Sequence, residues 1–87
     1  MLYYNRSQER VQEKKGESEV LQLNSSIIAR RLVELRGNES REAVAAAVGV
    51  SISAISMYEN GERIPRDDVK IRFAKYYKKT VQEIFFD

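Results

Sequence analysis

The side chains that carry most enzyme chemistry are missing from this chain or badly placed for it. There is no cysteine and no histidine, which removes thiol nucleophiles, imidazole bases, disulfides and the usual zinc ligand sets. The 13 carboxylates scatter along helical patterns, where a solvated surface charge is the ordinary reading, and no pair of them is set in an apolar stretch for acid–base work. No glycine-rich phosphate loop is present. The chain is therefore expected to be no enzyme and to use no metal and no cofactor. What remains is recognition by hydrogen bonds and ion pairs. One segment has the residues for it, REAVAAAVGVSISAISMYEN over Arg41 to Asn60.

To present such residues outward, two short helices must cross steeply and pack very closely. A close crossing needs a small residue at the contact, and Ala45 supplies it. The turn needs a residue that accepts positive φ, and Gly49 supplies that. Both helices must also send apolar side chains back to the core, and Val44, Val48, Val50, Ile55 and Tyr58 do so. The joint spacing of these seven positions is the signal. The bland alternative is a plain helical hairpin within a small bundle.

Three more helices are expected to hold the pair in place. Ile28, Leu32 and Leu35 fall at steps of four and three, with Asn24 or Ser25 to cap the start and Gly37-Asn38 to stop the helix. Val69, Phe73, Ala74 and Tyr77 share one face of a fourth helix after Ile64-Pro65, with Asp67 and Asp68 in its first turn to suit the helix dipole. Thr80-Val81-Gln82-Glu83 has capping-box spacing and opens a short last helix with Ile84 and Phe85. The fold class is all-α, a five-helix domain over residues 25–87 behind a polar N-terminal arm over residues 1–24. Within the arm, EVLQL (Glu19 to Leu23) reads as a short strand or an extended lead-in.

Charge narrows function only slightly. Fifteen basic residues face 13 acidic ones, so binding to a polyanion would need the charges sorted onto one face. No run approaches the roughly 18 apolar residues of a membrane span, so the expectation is a cytoplasmic protein with no membrane partner.

The Arg41 to Asn60 pattern resembles the helix-turn-helix of the Cro and lambda-repressor-like family, also called the XRE family. The resemblance rests on the Gly-Val-Ser turn (Gly49, Val50, Ser51), the Ile-Ser pair (Ile55, Ser56) and the Glu-Asn-Gly stop (Glu59, Asn60, Gly61). It extends to Arg63 and Pro65 and to the closing Glu83 to Phe85. It implies double-stranded DNA as partner, a role in transcription regulation as a repressor, and a third helix at about residues 51–59 in the major groove. Carried over, the base-facing residues are Ile52, Ser53, Ser56 and Met57. The phosphate-binding residues are Arg41, where the family usually has a glutamine, with Ser51, Asn60, Arg63 and Arg66.

This sequence departs from the family on that face. It offers no arginine, glutamine, asparagine or lysine there, the side chains that grip guanine or adenine with two bonds. Readout is thus expected to favour thymine methyls or DNA shape. Arg66 stands where a serine cap is usual, and Lys78 where glycine is common.

Two further expectations concern partners. Ile84-Phe85-Phe86 cannot bury every face in one terminal helix, which makes Ile84 and Phe86 candidate contacts of a homodimer. Tyr76, Tyr77, Phe85 and Phe86 could form a stacking platform for single strands, but core packing accounts for their spacing better. The arm is a candidate binding segment for a protein partner, as in an antitoxin. A protein-interaction module on the same fold is the other alternative.

Overall fold

The computed structural model describes residues 23–87. These form five helices: α1 (Ser25–Arg36), α2 (Arg41–Val48), α3 (Ile52–Glu59), α4 (Asp67–Tyr77) and α5 (Val81–Phe85). Most of the arm, and with it the partner-binding role given to residues 1–24, lies outside the described residues. Its last two residues are tied to the helical domain. Leu23 donates its backbone N–H to the Phe85 carbonyl at 3.0 Å and packs on the core. Asn24 caps α1 by accepting the Ile27 N–H at 3.0 Å.

Short helices are marginal alone, and four of the five N-termini here carry a side-chain cap. Ser40 and Ser51 accept N–H groups three residues on, from Ala43 and Ala54. Thr80 and Glu83 complete the reciprocal capping box that the sequence spacing predicts. Arg66 precedes α4 without a side-chain cap. Lys78 ends that helix in the left-handed region at φ 59°, a conformation that glycine adopts at no steric cost.

The core gathers one stripe from every helix: Ile28 and Leu32, Val44 and Val48, Ile55 and Tyr58, Val69 and Phe73, Ile84 and Phe85. Phe73 is its hub, with ring centroids of Tyr58, Tyr77 and Phe85 at 5.9, 6.1 and 6.2 Å. Full burial of such a ring contributes about 1.5–3 kcal/mol. Of the four residues weighed as a stacking platform, Phe85 is buried in the core, and Tyr76, Tyr77 and Phe86 are half-buried against it.

One dimer candidate is corrected here. Ile84 is 1% exposed, because the inward stripe of α5 carries it into the core beside Phe85. It has no surface left to offer a second copy. Phe86 is half-buried, with the Lys70 Nζ 5.0 Å from its ring centroid, in cation–π range. Lys70 is itself buried and also pairs with Asp67 at 3.6 Å. Among the described residues no helix is long and apolar enough to cross a membrane.

Candidate nucleic-acid interface

The seven positions that predict a close helix pair all take their expected places. Val44, Ala45, Val48, Ile55 and Tyr58 are buried, and Val50 packs against them. Gly49 turns the chain at φ 82°, and the Gly49 and Val50 N–H groups both return to the Ala45 carbonyl, at 2.8 and 3.1 Å. Only three residues, 49–51, link the two helices.

With Ala54, Ile55, Tyr58 and Glu59 facing inward, α3 turns its other side to solvent. Ile52 is 46% exposed and Ser53 is exposed, while Ser56 and Met57 are half-buried. Ser51 is exposed at the head of the helix, its Oγ engaged by the Ala54 N–H. Asn60 is exposed at the other end as the C-cap. Arg63 and Arg66 are exposed in the following loop. A hollow of about 350 Å³ lined by Val50, Tyr58, Arg63, Ile64, Arg66 and Val69 brings that loop beside the turn between α2 and α3. Of the phosphate candidates, Arg63 and Arg66 are thus brought together there, beside Val50 of the turn.

Arg41 does something that its sequence position does not reveal. Its Nε donates to Glu59 Oε1 at 2.9 Å and its Nη1 to Ser56 Oγ at 3.2 Å, so the guanidinium lies across from α2 onto α3. Glu59 receives a second arginine from α1: Arg36 Nε donates to its Oε2 at 2.7 Å. The carboxylate is 3% exposed, which corrects the reading of the acidic residues as uniformly solvated. Its hydrogen bond, reinforced by its charge and opposed by burial, holds the Arg36 guanidinium above its ordinary range. Two arginines share one carboxylate, so the trio keeps a single net positive charge. Arg41, 38% exposed against 19% for Arg36, is the member that presents it outward.

Other tertiary contacts surround this centre. Arg72 of α4 donates Nη1 to the Val48 carbonyl at 3.1 Å and Nη2 to Asp68 at 2.9 Å. It satisfies an end carbonyl of α2 and clamps the turn. The Tyr76 hydroxyl donates to Glu39 at 2.6 Å, which raises its pKa. Burial first, then the Glu39 and Glu59 carboxylates, push the Tyr77 phenol up to about 12.

Sequence reading missed Glu59, Arg36 and Arg72. A signal for Glu59 exists, since it falls one residue after Tyr58 and four after Ile55, on the core stripe of α3. A carboxylate on such a stripe demands a cation. For Arg72 the only signal is its four-residue spacing from Asp68, which says nothing of Val48.

A family model described as helix-turn-helix matches residues 30–84, more than half of the chain. Searches of curated proteins and of solved structures gave no match. The five helices, the tight Gly49 turn and the outward side of α3 agree with that match. The chain belongs to the helix-turn-helix family of the Cro and lambda-repressor type, a family of DNA-binding domains.

Proposed function

We propose that this protein binds duplex DNA with α3 in the major groove and acts as a small transcriptional repressor in the cytoplasm. The observation that carries the reading is the sidedness of α3. Ile55, Tyr58 and Glu59 anchor one side inside the bundle, while Ile52, Ser53, Ser56 and Met57 stand on the other. The loop that follows α3 carries the exposed Arg63 and Arg66. A groove reader needs such a division, because base-edge contacts come from one face of a helix and phosphate contacts from what lies beside it. Ser51, Asn60, Arg63 and Arg66 serve as the phosphate contacts. Ile52 and Met57 supply apolar contacts suited to thymine methyls.

The test is the salt dependence of binding to a random-sequence duplex. Log affinity falls linearly with log salt, and removing one phosphate-neutralising cation flattens the slope by about 0.9. Replacing Arg63 and Arg66 with glutamine is expected to flatten it by roughly 1.8 while the fold persists. A double variant with the parent's slope would place the DNA elsewhere. As a homodimer, the protein would set two α3 helices about 34 Å apart, one DNA turn. With Ile84 buried, Phe86 is the residue that supports this pairing. Phe86→Glu is expected to halve the mass in solution, and an unchanged mass would remove Phe86 from the interface.

A further inference from the structure

We infer that Arg41 reads a guanine base, and that Ser56 and Glu59 are there to aim it. The inference rests on α3 lying in the major groove and deepens that proposal. The outer side of α3 carries no side chain able to grip a base with two bonds, which by itself leaves specificity to methyl contacts and DNA shape. The structure supplies the missing group from the neighbouring helix. Arg41, the first residue of α2, crosses to α3 and bonds Ser56, itself a member of the outward set.

Arginine has five N–H donors in a planar fork. Glu59 takes the one on Nε, and Ser56 takes one of the two on Nη1. The three left are one on Nη1 and both on Nη2, and the end of the fork is formed by one hydrogen from each of these nitrogens. That end can meet O6 and N7 of guanine side by side, the commonest specific contact between protein and DNA.

The bracing also fixes the plane before DNA arrives. A free arginine surrenders its rotamer freedom when it is immobilised. Here two bonds to neighbouring side chains meet that cost during folding, so the fork is pre-organised. Arg36 occupies the second carboxylate oxygen. Glu59 is thereby neutralised from the far side, and Arg41 keeps an outward charge for the electronegative edge of guanine. Ser56 in this arrangement is a positioning residue and not a base reader.

The experiment is selection of duplexes from a random pool at physiological salt by the full chain, by Arg41→Gln and by Ser56→Ala. Circular dichroism first confirms that each variant is folded; Glu59 retains Arg36 in both. The parent is expected to enrich guanine at one fixed position of each half-site. Arg41→Gln is expected to lose that preference at that position alone, by roughly 5- to 150-fold in relative affinity, while the other positions persist. Ser56→Ala is expected to weaken the same preference less. If Arg41→Gln keeps the parent's consensus and only flattens the salt slope by about 0.9, Arg41 is a phosphate contact and the inference falls. It falls also if Ser56→Ala erases the preference that Arg41→Gln retains. A parent that enriches nothing removes the groove-reading proposal as well, which separates the two failures.

Discussion

Replacing Glu59 with alanine tests whether the arginine pair is a support of the fold or an ornament on it. The carboxylate is 3% exposed and accepts two charged hydrogen bonds, at 2.7 and 2.9 Å. Bonds to charged groups contribute about 1.5–3 kcal/mol each, which gives an upper bound near 6 kcal/mol. The two guanidiniums are partly exposed, so both can turn toward water once released. That relief lowers the cost toward the bottom of the 3–5 kcal/mol range for a broken buried pair, about 3 kcal/mol. A domain of this size holds roughly 3–10 kcal/mol in all. The loss is therefore a large part of the whole.

Thermal unfolding followed by circular dichroism reads it directly. At about 4–8 °C per kcal/mol for a domain of this length, Glu59→Ala is expected to melt roughly 12–24 °C below the parent. A cycle with Arg36→Ala and the double variant isolates the pair, with a coupling of about 1–3 kcal/mol. A melting point within about 3 °C of the parent would mean less than 1 kcal/mol, and would refute the claim that this carboxylate joins three helices.

Three further outcomes follow from particular residues. Lys78→Gly relieves a left-handed backbone at φ 59°, and is expected to raise stability by about 0.5–1 kcal/mol in the same melt. Gly49→Ala does the reverse. It forces a side chain onto φ 82° and sets its Cβ 3.4 Å from Arg72 Nη1, with an expected cost of about 1–2 kcal/mol and weaker duplex binding as the turn shifts. For Tyr77, the folded phenol titrates at about 12 against an ordinary 10.0. Its contribution to stability is complete below pH 10 and is lost as pH rises toward 12, because the unfolded chain ionises first. Absorbance titration at alkaline pH is expected to show a late phenol that Tyr77→Phe abolishes. An unchanged alkaline titration would place that phenol elsewhere.

Much of this protein is legible in its sequence because the deciding forces are local. Asn24, Ser40, Ser51 and Thr80 each cap the helix that follows them, since a cap bond spans only three residues. The stripes that build the core repeat at helical spacing, and Gly49 marks the positive-φ turn between α2 and α3. From those the five helices and the outward side of α3 follow.

The bundle alone decided where the long polar side chains go. Arg41, Arg36 and Glu59 are separated by up to 23 residues and come from three helices. No periodicity links them. Arg72 meets Val48 only because α4 packs on the end of α2. Ile84 illustrates the same limit for an apolar residue, since the pattern shows that one face of α5 must be buried but not that Ile84 and Phe85 both fit within it. Local chemistry sets helices and their ends. The partners of a flexible guanidinium depend on which helices become neighbours, and that is settled only when the core closes.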